Sequence, residues 1–215
     1  MDQKALIDGL IFMLCFIPIV TFHEFAHAWV AWKLGDDTAY REGRVTLNPQ
    51  SHIDLLGTLI VPGIAVAMMA SGGPGFIFGW GKPVPVNLNN LQNVRRDDNL
   101  ISLAGPAMNV LLAFIAMIIA KIALMAGVES VQEAAFRLAQ LSLFLCFFNL
   151  LPIPPLDGSH VLKNIIGMSH ETYANLAQYG IIMVIVAIQI PAVSKFLVVS
   201  TYGTLAAMMK VLGLM

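Results

Sequence analysis

The stretch "IPIVTFHEFAHAWVAWKL", residues 17–34, places three ionisable side chains inside a long apolar run. His23 and His27 are four residues apart, so on a helix they lie one above the other and can bind one metal ion. Glu24 lies about 100° around the same helix, beside that ion, where it can act as a general base. Because a charged side chain at the centre of a membrane helix costs about 2.5–3.5 kcal/mol, three such groups together predict a functional site.

The composition is that of a membrane protein. Of the 215 residues, 58% are hydrophobic and 12% are charged, and the mean hydropathy is +0.77. A soluble domain has about 25% charged residues. The net charge of −1, with no basic run longer than Arg95 and Arg96, argues against a nucleic-acid partner. Cys15 and Cys146 lie in apolar runs, where a thiol behaves as a small hydrophobic group.

We expect an all-α polytopic membrane protein with about five to six transmembrane helices, because each span needs about 20 mostly apolar residues. We expect the chain to form one membrane-embedded domain, residues 1–215, with a core at 5–165 and additional C-terminal helices at 172–213. The predicted spans are 5–34, 99–120, 138–156, 172–194 and 196–209.

The apolar segment 55–80 is predicted to be a re-entrant hairpin. Pro62 and the run "GGPG" at 72–75 interrupt it, and irregular backbone at membrane depth must be buried in protein or face water. The loops on either side, 35–54 and 81–98, carry basic residues, whereas 127–136 carries only acidic ones. The positive-inside rule then places both basic loops in the cytoplasm, and a full span through this segment is the alternative.

A third metal ligand is expected in "FFNLLPIPPLDGSHVL", residues 147–162, because a catalytic zinc keeps three protein ligands and one open position. The prolines end a helix and Gly158 allows a tight turn, so Asp157 can project from the end of a transmembrane helix. His160 is a competing donor. We favour Asp157, because a carboxylate completes many two-histidine catalytic sites, and we expect one zinc ion per chain.

Four motifs occur in order: "HEFAH" at 23–27, "GWGKPVPVN" at 79–87, "AGPAMN" at 104–109 and "NLLPIPPLDG" at 149–158. With them the chain resembles the site-2 protease family, peptidase family M50, in its small bacterial branch without PDZ or CBS domains. The resemblance implies an intramembrane zinc metalloprotease in which His23, His27 and Asp157 bind zinc and Glu24 is the catalytic base. It also implies that Asn149 faces the active site, although a helix–helix hydrogen bond is an equal alternative for that residue.

The resemblance further implies a substrate and a location. The substrate would be a transmembrane segment of another membrane protein, cut by regulated intramembrane proteolysis in the bacterial inner membrane. Trp29, Trp32 and Trp80 suit the membrane interface and place the active site nearer the cytoplasmic face. Oligomeric state is left open by the sequence.

The segment "KPVPVNL", residues 82–88, is predicted to lie against the substrate. Along one edge of an extended segment, Pro83 and Pro85 have no N–H group to donate. The N–H groups of Val84 and Val86 point to the other edge. We therefore expect a short β-type edge strand or loop at 82–90, able to pair with an extended substrate; a proline-stiffened loop is the alternative.

Other features are predicted to be structural. Gly105 and Ala107 suit close helix packing, and Asn109 is expected to be structural. For His52, beside Asp54, we favour a helix-start residue at the membrane interface over a metal ligand. Two other functions use the same donors: a membrane metal-ion transporter and a non-catalytic metal-binding scaffold. A transporter has no need of Glu24 or an edge strand, and a scaffold would be expected to lose a ligand or the glutamate.

Overall fold

The computed structural model describes residues 2–73 and 79–214, and within these ranges every regular element is helical. The prediction of an all-α protein is therefore confirmed. A π-helical turn, Leu55–Ile60, runs into α3, and single 3-10 turns lie at Pro49–Ser51 and Leu88–Asn90. The α-helices are α1 (Gln3–Lys33), α2 (Thr38–Arg41), α3 (Val61–Ala70), α4 (Val94–Met125), α5 (Glu129–Asn149), α6 (Asp157–Ile166), α7 (His170–Ala177), α8 (Gly180–Ile188) and α9 (Pro191–Val211).

Four helices, α1, α4, α5 and α9, are long and apolar enough to cross a membrane. Helices α7 and α8 pass the same test only when they are taken together, and they are bent by 65° to each other, as in a broken span or a re-entrant loop. The described residues therefore contain four candidate spans, or five if this bent pair is one, and the predicted number of five to six stays a prediction. Helix α1, at 31 residues, is about 46 Å long and extends beyond a hydrocarbon core of about 30 Å.

Helix α4 lies at the centre of the bundle and packs against α1, α5 and α6, while α9 packs on α5. Many of the buried residues of α4 are small, among them Gly105 and four alanines, and small residues let helix backbones approach closely where no hydrophobic effect drives them together. The core between α4, α5 and α9 contains Ala113, Met117, Ala139, Leu143 and Leu205.

Two predicted element boundaries are wrong. The span expected at 138–156 is the helix Glu129–Asn149, because the prolines at 152, 154 and 155 cannot continue it. The acidic loop expected at 127–136 is mostly the first turns of that helix. There Arg137 pairs with Glu133 one turn away, at 2.8 Å, and with Asp8 of α1 at 2.7 Å. An i, i+4 pair of this kind adds about 0.2–0.5 kcal/mol to the stability of a helix, so the acidic charges of this segment are compatible with one.

The two ends of the segment 55–80 lie side by side. The Trp80 amide donates to the Gly57 carbonyl at 3.0 Å, and the Thr58 hydroxyl donates to the Trp80 carbonyl at 2.7 Å. Gly57 has no side chain, and a Cβ there would overlap the Trp80 ring. At the far end, the Asp2 amide donates to the Ala70 carbonyl at 2.7 Å. Residues 74–78, part of the predicted breaker, lie outside the described residues.

The two ends of this segment meet as the ends of a hairpin would, and a re-entrant path in a membrane stays a prediction. The helical stretch Leu55–Ala70 is about 24 Å long, short of the hydrocarbon thickness, and the chain returns to the end from which it left. Its depth in a bilayer stays a prediction.

A buried carboxylate joins the two loops that flank this hairpin. Asp36 is fully buried and accepts hydrogen bonds from the Thr38 amide at 3.1 Å, the Asn87 amide at 2.7 Å and the Asn90 side chain at 2.8 Å. Nearby, His52 is also fully buried; its Nε2 lies 2.8 Å from the Thr46 carbonyl, and its own carbonyl accepts from Lys82. Both residues therefore hold the loops together, and His52 does so from the end of the 3-10 turn Pro49–Ser51.

Replacing Asp36 should lower stability in a pH-dependent way. Burial opposes ionisation of this carboxyl, but the hydrogen bonds from Thr38, Asn87 and Asn90 outweigh it and hold its pKa below the ordinary 3.8. The stabilisation is therefore present at neutral pH and is lost as the pH falls below 3.8 through the folded-state pKa. We expect Asp36→Ala to lower the free energy of unfolding by about 2 kcal/mol at pH 7, because hydrogen bonds to a charged group are lost.

Thermal unfolding in detergent as a function of pH tests this. The difference in melting temperature between wild type and Asp36→Ala should narrow as the pH is lowered. A difference that widens would contradict the role given to Asp36. Asp37→Ala is the control, since among the described residues the Asp37 carboxylate pairs with Arg41 alone, an exposed residue one helical turn away.

Candidate metal centre

Three side chains from two distant segments meet beside α4. His23 and His27 lie one turn apart on α1 and are both buried, with their Nε2 atoms 3.0 Å apart. Asp157, the first residue of α6, places one carboxylate oxygen 3.2 Å from His23 Nε2 and the other 3.4 Å from His27 Nε2. Among the described residues, this is the one group of His, Cys, Asp and Glu whose geometry could hold a metal ion.

The spacing of these donors fits zinc. A tetrahedral zinc ion with bonds of 2.0–2.1 Å separates its ligand atoms by about 3.3 Å, which matches the observed 3.0–3.4 Å. The tautomer of His27 fits as well. Its Nδ1 lies 2.7 Å from the Ile101 carbonyl, which can only accept, so Nδ1 carries the proton and Nε2 presents a lone pair.

Gly105 of α4 leaves room for an ion. A Cβ at this position would overlap His27 Nε2 and lie 2.6 Å from His23 Nε2, so only a glycine allows α4 to pass beside the two rings. The sequence suggested helix packing for Gly105. The structure shows that the packing partner is the histidine pair itself.

Asp157 reaches the histidines from a different position than expected. It begins the short helix α6, after a proline-containing turn, and does not extend from the end of α5. Gly158 lies inside that helix, and a Cβ there would be 2.5 Å from the Leu150 carbonyl carbon and 2.7 Å from the Leu151 oxygen. The glycine therefore serves close approach of α6 to the end of α5, whereas the sequence suggested a tight turn.

The competing donor, His160, points elsewhere. Its Nδ1 lies 3.5 Å from Asp98, and its ring packs against Tyr173 with centroids 4.8 Å apart. It is not in the three-residue group. The geometry thus favours Asp157 as the third ligand.

The remaining predicted site residues line one cavity of about 690 Å³ that also contains the three donors. Glu24 lies beside Gly81, where a Cβ would be 3.3 Å from its Oε1. The fold therefore brings the predicted residues to one cavity, and their chemical roles stay predictions. These residues are Glu24, Val84, Val86 and Asn149.

The segment 82–86 is not paired with a strand within the described residues. It is held at its start by Arg44, which is buried and donates to the carbonyls of Lys82 and Pro83, the latter at 3.1 Å. The predicted edge strand is thus a fixed, unpaired segment that faces the cavity, and its pairing with a substrate stays a prediction.

Sequence reasoning missed several contributions of α4. Asn109 is fully buried and lines the cavity, and neither of its amide atoms has a hydrogen-bond partner in the described part of the chain. Asp98, Ile101, Gly105 and Asn109 are spaced by three, four and four residues, so they share one helix face. That periodicity was a usable signal for a functional face of α4.

We expect Gly105→Ala to lose zinc, because its methyl group would occupy the space between the two Nε2 atoms. The measurement is zinc content per chain after purification in detergent. Gly203→Ala in α9 is the matched control, since nothing lies within 4 Å of a Cβ there. Full zinc occupancy in the Gly105 variant would show that the site lies elsewhere.

Comparison with known proteins gives the family. The model of peptidase family M50 matches residues 124–191, which include Asn149 and Asp157. A relative from Bacillus subtilis, named "Putative zinc metalloprotease YwhC", is 37% identical over 179 residues, which are 80% of this chain and 76% of the relative.

Two further relatives, each named "Putative zinc metalloprotease Rip2", come from Mycolicibacterium smegmatis and Mycobacterium tuberculosis. Both are 32% identical, over 177 and 176 residues, or 81% and 80% of this chain. The aligned part is 64% of the length of each Rip2 protein. No solved structure matches the chain. The extent of the match to the Bacillus relative, together with the family model, shows that the chain belongs to peptidase family M50 and is a metalloprotease.

Proposed function

We propose that this protein is a zinc-dependent intramembrane endopeptidase that cleaves a transmembrane segment of other membrane proteins. The observation that carries the proposal is the convergence of His23, His27 and Asp157 at zinc-ligand spacing inside a bundle of membrane-spanning helices. The relatives named as zinc metalloproteases support the choice of metal.

The position of the site along α1 supports an intramembrane substrate. His23 lies ten residues before the end of α1, a distance of about 15 Å. Beyond it, Trp29 and Trp32 are partly exposed and the Lys33 ammonium lies over both rings, an arrangement typical of a membrane interface. With the basic loop 35–54 in the cytoplasm, the site lies within the membrane near its cytoplasmic face, in a bacterial inner membrane.

The chemistry follows from the donor set. One zinc ion per chain, held by His23, His27 and Asp157, would polarise the scissile carbonyl and bring the pKa of a water at the site to about 7. Glu24 takes the proton from that water and returns it to the leaving amine. Asn149 donates its amide hydrogen bond to the carbonyl oxygen or to the substrate backbone, where negative charge develops.

The segment 82–86 supplies the means to hold an unwound substrate. A peptide bond in a helix is already hydrogen-bonded, so the substrate must be extended before it is cut. Within the described residues, the main chains of Val84 and Val86 make no hydrogen bond. Arg44 fixes the start of this segment and Asp36 fixes the Asn87 amide just after it. The middle is therefore free to pair with an extended substrate by β-augmentation.

A metal-ion transporter or an inactive scaffold fits these observations less well. Family M50 is a peptidase family, and Glu24 lines the cavity beside the three donors. Neither alternative gives the glutamate a role.

Replacing Glu24 by glutamine should separate metal binding from catalysis. We expect Glu24→Gln to keep zinc, because no ligand is changed, and to lose about 10²–10⁴-fold in cleavage rate, because the general base is removed. The assay is cleavage of a membrane-protein substrate in liposomes, with zinc content measured on the same samples. Cleavage at the wild-type rate would show that the hydrolytic assignment is wrong.

The third ligand can be tested by two alanine variants. Asp157→Ala should lose zinc, because two histidines alone bind it weakly, whereas His160→Ala should retain it, because that ring lies against Asp98 and Tyr173. Zinc content of the purified variants decides between them. The opposite pattern would make His160 the ligand.

A further inference from the structure

Asp98, near the start of α4, is buried against α6. Its Oδ2 accepts hydrogen bonds from Lys163 Nζ at 2.7 Å and from the Asn164 side chain at 2.8 Å. Asp98 and Lys163 are 4% and 3% exposed, and Asn164 also donates to Asn99 at 2.8 Å. A buried ion pair with an added hydrogen bond thus joins α4 to α6.

Helix α6 depends on such contacts for its position. It has only ten residues, and isolated helices this short are marginally stable. A non-helical, proline-containing turn at 150–156 links it to α5. On its other side, Ser159 Oγ lies 2.9 Å from the Tyr173 hydroxyl, and Lys163 Nζ lies 5.3 Å from the centroid of the Tyr173 ring. Lys163 is therefore enclosed between Asp98 and Tyr173.

The same face of α4 also holds the histidine pair. The Ile101 carbonyl, one turn from Asp98, accepts from His27 Nδ1 at 2.7 Å, and Gly105 lies against both rings. Since Asp157 is the first residue of α6, the distance from its carboxylate to the histidines depends on how α6 docks on α4.

We propose that Asp98 is a positioning residue for the metal site: its ion pair with Lys163 holds α6 so that Asp157 completes the ligand set with His23 and His27. This inference rests on the proposed function, in which these three residues bind zinc. Asp98 itself does not contact the three donor side chains; it acts on them through the position of α6. Substituting a residue that hydrogen-bonds a metal ligand typically weakens metal binding by about 10- to 100-fold, and we expect an effect of the same order when α6 is no longer held in place.

The neighbouring residue provides a matched control. Asp97 is 1% exposed and also charged, but its partners are Arg96 at 3.0 Å and the Asn93 amide at 2.9 Å, both at the start of α4. Removing Asp97 disturbs a buried carboxylate without releasing α6. A general loss of stability would weaken zinc binding in both the Asp98 and the Asp97 variant. Loss of the contact that positions α6 would weaken it only in the Asp98 variant.

The experiment measures zinc affinity of the full chain in detergent, by competition with a chromophoric chelator, for wild type, Asp98→Ala, Lys163→Met, the double variant and Asp97→Ala. We expect about 10- to 100-fold weaker binding for Asp98→Ala and Lys163→Met, and a change below about twofold for Asp97→Ala. Because the two residues act as a pair, the double variant should lose no more than the worse single variant.

The outcomes separate the two proposals. If wild type binds no zinc, or His23→Ala binds it as well as wild type, the proposed function fails. If wild type binds zinc and Asp98→Ala binds it equally tightly, or Asp97→Ala loses as much, the positioning role is wrong. If Asp98→Ala does not fold, the zinc affinities of Lys163→Met and Lys163→Arg are compared instead. Only the arginine variant should keep a zinc affinity near that of wild type. Equal zinc affinities of the two variants would overturn the proposal.

Discussion

The approach of α4 to the histidine pair of α1 is the contact on which the rest of the site depends. It is possible because Gly105 has no side chain and because the Ile101 carbonyl can accept a hydrogen bond from His27 in addition to its place in the helix. Were the helices farther apart, the two rings would face lipid or an empty cavity, where uncompensated polar groups are costly. One glycine thus allows polar chemistry inside an apolar bundle.

Helix α4 organises both halves of the site from a single face. Asp98 holds α6, and hence Asp157, while Ile101 and Gly105 hold the histidine helix. The loops that contain Asp36 and Arg44 complete the enclosure, because these two residues fix the segment 82–87 along the edge of the cavity that contains Glu24. The ligands therefore belong to separate segments, but they share one rigid support.

Family membership and geometry complement each other. The M50 family model matches residues 124–191 and so covers the Asp157 half of the site, while the relatives extend the likeness over about four fifths of the chain. The relatives' names and identities carry no information about distances in the site. The meeting of the two Nε2 atoms and the Asp157 carboxylate at 3.0–3.4 Å supplies the spatial argument for the metal site.

The sequence alone determined the all-α class, the main apolar helices and the candidate ligands, because hydrophobic run length and i, i+4 spacing are local properties. It also pointed to Asp157 over His160. Tertiary structure decided what lies between helices: the partners of Gly105 and Asp98, and the bend between α7 and α8. Contacts across helices depend on the rotation and register of each helix, which packing sets and which no local pattern contains.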